Sequence, residues 1–289
     1  MWPTLTLVCK AAFYAGTAGI IGTAFCAWLF RGHQFMAAIL ERYGAWSSLL
    51  ALVAGLAVFF VQVGDLAGEG VAGMANSGLI NFLWVTPVGE QLQWRLLGIS
   101  AVLFACLVGF SRAGRPGIFT RALFATGLIA LLYSFQISGH VAQQGMAQPV
   151  ALVLHVATMG IWIGSLLPLY WFTGRAEQAQ VADRLQRFGQ NAVTFVALLL
   201  LAGGWLLVSL PSAPGAIFSN TWGGTLIFKL ALVGILLALA AQNKFSLVPA
   251  IGRGEPMAAF RLTVVFELLF ALFILLVTAA ATSIAGSPA

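Results

Sequence analysis

Apolar residues run through this chain in stretches of about twenty or more, broken by short polar segments. A helix needs about 20 consecutive apolar residues to cross the hydrocarbon of a bilayer, and these stretches reach that length. They lack the period-two alternation of a lipid-facing barrel strand, so helices are the predicted spanning elements. Eight spans follow: Thr4–Phe30, Ala45–Asp65, Glu90–Phe110, Gly117–Ile137, Pro149–Phe172, Asn191–Leu210, Trp222–Ala241 and Phe260–Ser283. Between the second and third, the shorter apolar stretch Leu79-Ile-Asn-Phe-Leu-Trp84 is predicted to lie along the membrane interface. The expected fold class is an all-α integral membrane protein with eight transmembrane helices. Residues 1–289 are expected to form a single transmembrane domain, with no space in this sequence for a soluble one.

The basic residues fall in alternate connections. Arg31 and Arg42 follow the first span. Arg112, Arg115 and Arg121 follow the third, Arg175, Arg184 and Arg187 the fifth, and Lys244, Arg253 and Arg261 the seventh. The connections after the second, fourth and sixth spans hold no Lys or Arg. Basic loops face the cytoplasm, so both termini are expected on the opposite side. Composition agrees with the membrane reading: 61% of residues are hydrophobic and 8% charged, against roughly a quarter charged in a soluble domain. The net charge of +6 therefore reports topology rather than nucleic-acid binding. Cys9, Cys26 and Cys106 all lie inside apolar stretches, with no spacing that suggests a disulfide framework or zinc site. The N-terminus lacks a basic n-region and reads as a retained first helix.

An internal duplication is suggested by two correspondences. Thr86-Pro-Val-Gly89 followed by Arg95 parallels Thr221-Trp-Gly-Gly224 followed by Lys229. Lys10 followed by Gly16, Gly19 and Gly22 parallels His155 followed by Gly160 and Gly164. The expectation is two parallel four-helix halves, 1–140 and 141–289, an arrangement found in transporters.

Few side chains are left to carry chemistry. His140 follows the fourth span and His155 lies four to six residues into the fifth, so both imidazoles are expected near the outer face. Met159 shares a helix face with His155 at i,i+4, and Met146 and Met74 fall in outer connections. Imidazole with thioether is a ligand set for copper, and thioether favours Cu(I). The plainer reading of a membrane histidine is an interhelical hydrogen bond, and of a methionine, packing. His33 falls in a basic loop and reads as solvated. Lys10, Arg95 and Lys229 lie near outer helix ends, where long cationic side chains snorkel. Asp65 ends the second span and is a candidate partner for Lys10 or Arg95. Glu267 sits deep enough in the last span to be buried, on an ion path or as a structural group. Trp162, in Gly160-Ile-Trp162-Ile-Gly164, is too deep for an interfacial belt and reads as packing or path-lining. No P-loop, Cys-Pro-Cys or HExxH pattern is present, which argues against a nucleotide-driven pump or a membrane zinc protease.

These residues carry a resemblance. His155-Val-Ala-Thr-Met-Gly-Ile-Trp162-Ile-Gly164-Ser-Leu-Leu-Pro resembles the His…Trp-x-Gly-Gly-Leu-Leu segment of the CopD/PcoD copper-resistance family, and Ser138-Gly139-His140 resembles its Gly-His element. Trp222-Gly-Gly-Thr…Lys229-Leu-Ala-Leu and Glu267…Thr278…Thr282 resemble its C-terminal pattern. One departure is Ser165, where the family usually has a second glycine. The resemblance implies a multi-pass bacterial inner-membrane protein with periplasmic termini. It implies copper, Cu(I) or Cu(II), accepted at the periplasmic face by His140 and His155 with Met146 or Met159 assisting. The metal would then move past the path candidates Trp162, Glu267, Asp65 and Lys229, passively or coupled to an ion, and uptake is the direction usually described. It implies membrane lipid and a periplasmic copper-binding protein of the CopC type as partners, and no catalysis. Two other readings stay open from the residues alone: a b-type haem electron carrier, and a non-transporting membrane dock for a periplasmic copper chaperone.

Overall fold

The fold is given by a computed structural model, which describes residues 1–109, 117–137, 145–209 and 221–283. Among these residues there is no strand, and eight helical spans are long and apolar enough to cross a membrane. In chain order the helices are α1 (Trp2–Leu29), α2 (Gln34–Ala67), α3 (Ser77–Trp84), α4 (Pro87–Val108), α5 (Ile118–Tyr133), α6 (Ala147–Thr173), α7 (Gln178–Val208), α8 (Thr221–Gln242), α9 (Val248–Gly252) and α10 (Ala258–Ala281). Their ends follow local chemistry. Proline occupies the first turn of α1 and α4, where its missing N–H costs nothing. Gly68 and Gly109 close α2 and α4 in the left-handed region, with φ of 66° and 107°. The predicted interfacial segment is α3, whose first turn is capped by Asn76 Oδ1 accepting from the Leu79 amide at 3.1 Å.

Helix α1 is the centre of the bundle. It packs on α2, α6 and α10, while α2 leads outward through α4 to α5, and α6 carries α7. The α1–α6 contact is backbone against backbone: Gly22 and Gly164 face each other, and a Cβ on Gly164 would run into the Ala18 carbonyl. Small residues permit such contact, and in lipid it is dispersion rather than hydrophobic transfer that rewards it. Pro168 sits inside α6 and offers no N–H to the carbonyl four residues back, which belongs to Gly164. The Tyr43 hydroxyl of α2 donates to that carbonyl at 3.0 Å. A buried polar group in lipid needs a protein partner, and here a third helix supplies it, tying α2 to the α1–α6 contact. A second close pair, Gly98 and Gly127, joins α4 to α5. By contrast few residues of α7 and α8 are buried along their spans.

Three of the basic connections meet at one end of the bundle. Arg184 at the base of α7 donates to the Leu29 carbonyl at 3.1 Å and to His33 Nε2 at 3.2 Å. Gln178 donates to the carbonyls of Ile251 in α9 and Glu255 just beyond it, at 3.1 and 2.8 Å. Helix α7 is longer than its predicted span because an amphipathic turn precedes it, burying Val181 and Leu185 while Asp183 and Arg187 pair at 3.0 Å. His33 is not the solvated loop residue the sequence suggests. Its ring meets Phe172 at 5.0 Å between centroids and accepts from Arg184. Burial and the Arg184 guanidinium hold its imidazole below the ordinary 6.5, against an opposite pull from Asp183.

A stability prediction follows from that shift. An imidazole whose folded value lies below its unfolded one is protonated first in the unfolded chain, so stability falls as pH drops through about 6.5. Thermal unfolding of the detergent-solubilised protein at a series of pH values should show this loss. His33→Gln should flatten it, and parallel curves for the two proteins would refute it.

Candidate metal site

His155 lies eight residues past the first residue of α6, about 12 Å along the axis. It turns toward α7, where Nδ1 stands 3.3 Å from the Leu199 carbonyl oxygen. A carbonyl can only accept, so in this hydrogen bond Nδ1 carries the proton and Nε2 keeps its lone pair. That is the tautomer in which an imidazole ligates a metal, with its other nitrogen anchored by a backbone acceptor. Room for the ring comes from Gly203, where a Cβ would stand 3.1 Å from Cε1 and Nδ1. Below His155, the Thr158 hydroxyl turns back to the Leu154 carbonyl at 2.7 Å and takes no part.

Lys229 of α8 stands within electrostatic reach of the same imidazole. The site therefore draws an imidazole from α6, a backbone acceptor from α7 and, within electrostatic reach, an amine from α8. Met159 is one turn further along α6 and half-buried. Met146 caps the start of α6, is 84% exposed, and stands nine residues, about 13 Å, before His155. His140 lies outside the described residues. Among the described residues no group of three or more His, Cys, Asp or Glu side chains is arranged to hold a metal ion.

The other candidates are dispersed. Trp162 is buried in the core with Cys26 and Leu166. Asp65 is exposed at the end of α2, while Lys10 meets the Thr282 carbonyl and Arg95 the Phe13 and Phe135 rings. Rather than snorkel freely, Lys10 Nζ donates to the Thr282 carbonyl at 2.9 Å, capping the C-terminus of α10. The Arg95 guanidinium lies 4.2 Å from the Phe13 ring centroid, and its buried Nε has no hydrogen-bond partner among the described residues. Met74 packs with Trp2 against Gly64. Glu267 is 2% exposed and accepts from Asn243 Nδ2 at 3.2 Å.

Leu199 and Gly203, the residues that orient and admit the His155 ring, had no sequence-level signature as site residues. A backbone carbonyl is silent in sequence, and the only available signal was the Gly203-Gly204 pair inside an apolar span.

With this geometry in place, comparison with known proteins gives a consistent answer. Residues 1–150 match the family described as "Copper resistance protein D-like, N-terminal domain", and residues 182–281 match "Copper resistance protein D". The chain is 25% identical over 227 residues to "Inner membrane protein YebZ" of Escherichia coli (strain K12), covering 76% of this chain and 74% of that protein. It is 32% identical over 121 residues to "Copper resistance protein D" of Pseudomonas syringae pv. tomato, covering 38% of this chain and 39% of that one. No solved structure matches the chain.

Proposed function

The chain belongs to the copper resistance protein D family, and from that premise we propose that it accepts copper at the end of the bundle where α6 begins and moves it across the inner membrane. The observation that carries the site is the anchored His155 tautomer. Nδ1 is committed to Leu199 and Nε2 is left for a ligand. His155 is the first metal ligand, and Met159, a turn deeper, is the next donor along α6. His140 and the exposed Met146 stand as candidate outer donors that would take copper from a periplasmic copper-binding protein of the CopC type. A neutral imidazole and thioethers bind Cu(I), and the imidazole also serves Cu(II). In this reading the periplasm is the compartment at the start of α6, and the basic connections face the cytoplasm.

Copper uptake into proteoliposomes, compared for wild type, His140→Ala and His155→Ala, tests the proposal. His155→Ala should lower copper binding to the purified protein by more than about tenfold, since changes to supporting groups alone cost that much at metal sites, and uptake should fall with it. Unchanged stoichiometry and affinity in His155→Ala would remove the site. A Soret band in the purified protein would replace copper transport with haem-based electron transfer.

A further inference from the structure

The second buried polar cluster lies toward the basic end of the bundle, away from His155. Glu267 is nine residues into α10, about 13 Å from its start. Asn243, which donates to its Oε1, is the first residue of a π-helical turn, Asn243–Leu247, that follows α8. Such turns widen a helix and redirect side chains, often at functional positions. The Thr263 hydroxyl donates to Asn243 Oδ1 and also has the Phe260 carbonyl within 2.8 Å. It has one hydrogen for these two acceptors, so it serves one at a time. Phe260 in turn lines a cleft of about 460 Å³ between α9 and α10, together with Arg253, Glu255 and Ala259. Thr263 and Asn243 therefore link the buried carboxyl to the carbonyl of a cleft-lining residue, Phe260.

Among the described residues no cation neutralises that carboxyl from the elements packed on α10, which are α1, α6, α8 and the π-helical turn. Lys244 on the turn points away and donates to the Gly189 carbonyl of α7 at 3.0 Å. Arg261 on α10 itself lies over the Tyr170 ring at 4.2 Å. On α1 the nearest candidates are the thiol of Cys26 and, far along the bundle, Lys10, which is held by Thr282 about 22 Å beyond Glu267. His155 on α6 and Lys229 on α8, within electrostatic reach of each other, lie toward that same distant end. An unpaired carboxylate in hydrocarbon is costly, and the group neutralises by taking up a proton.

We propose that Glu267 is a proton-binding site reached from the α9–α10 cleft past Thr263 and Asn243, and that it holds the ion to which copper movement is coupled. The binding step is a simple protonation, carboxylate plus proton giving carboxylic acid. Only the coupling clause rests on the copper-transport reading.

The test is labelling of the full-length protein in detergent with dicyclohexylcarbodiimide, an apolar reagent that attacks protonated carboxyls, followed by peptide mass spectrometry across a pH series. Glu267 should be modified near neutrality, with labelling falling about tenfold per pH unit above its midpoint. The exposed Glu90 and Glu255 serve as controls and should stay unmodified over the same range. Asn243→Leu removes a donor that favours the carboxylate, so its labelling should persist to more alkaline pH. Absence of label at Glu267, or label indifferent to pH, overturns the site. Label blocked by copper and not by pH overturns it in favour of a metal site. Proteoliposomes carrying a pH gradient test the coupling: stimulation of copper uptake should be lost in Glu267→Gln, and full retention overturns coupling. Wild-type protein that takes up no copper under any gradient overturns the transport reading while leaving the labelling result intact.

Discussion

Gly164→Leu is expected to leave little folded protein. Any Cβ at this position meets the Ala18 carbonyl and the Gly22 backbone, and these are main-chain atoms in the middle of two packed helices, which cannot swing aside as a side-chain tip can. The helices would have to separate, and that separation would also break the Tyr43 bond to the Gly164 carbonyl. The cost is on the order of 3 kcal/mol from overpacking, plus the exposure of a carbonyl that Pro168 already leaves without its helical donor. Tyr43→Phe isolates that second part. It should cost about 1–2 kcal/mol, the penalty of one unsatisfied buried acceptor. Gly204→Leu is the control, because a Cβ there meets nothing within 4 Å. Size-exclusion profiles and thermal unfolding of the three variants should rank Gly164→Leu well below Tyr43→Phe, with Gly204→Leu near wild type. If Gly164→Leu and Gly204→Leu behave alike, the α1–α6 contact does not organise the fold as argued.

The glycine pattern shows what a sequence of this kind discloses and what it hides. Hydropathy located every span, because in a bilayer the length of an apolar run is the structure. It misjudged ends where the helix continues past the lipid. Helix α2 begins at Gln34 rather than Ala45, since Met36 and Leu40 are buried within the basic end of the bundle although Glu41 and Arg42 interrupt the apolar run. The seventh span runs on to Gly252 through a π-helical turn, and no hydropathy signal distinguishes that turn from α-helix. Glycines marked close contacts without saying which helix was met. His155 was legible as a rare polar group, whereas its acceptor on Leu199 was not, since every residue has a carbonyl. Glu267 was legible as buried, but its amide partner Asn243 lay outside the predicted span, and only the fold brings the two together.

Lys229→Met is expected to tighten copper binding at His155 by about tenfold, roughly 1.4 kcal/mol, and to slow copper transfer. In the proposed site an incoming copper ion meets a neutral Nε2 with a lysine ammonium in electrostatic reach of the same ring. Like charges near one another inside a protein repel by about a kcal/mol or more, so a protonated lysine weakens the site it borders. For a storage or cofactor site that would be a defect. A transported ion has to leave as well as arrive, and sites on a path are held weak enough to release. Methionine keeps the length of the side chain and removes only the charge, and Lys229→Arg keeps the charge as a reference. Copper affinity by competition titration and transfer rate by stopped-flow should therefore move in opposite directions in Lys229→Met and stay close to wild type in Lys229→Arg. Tighter binding without slower transfer would mean that release from His155 does not limit movement. Unchanged affinity in Lys229→Met, alongside lost affinity in His155→Ala, would mean that the ammonium does not face the bound ion and that the site opens on another side of the ring.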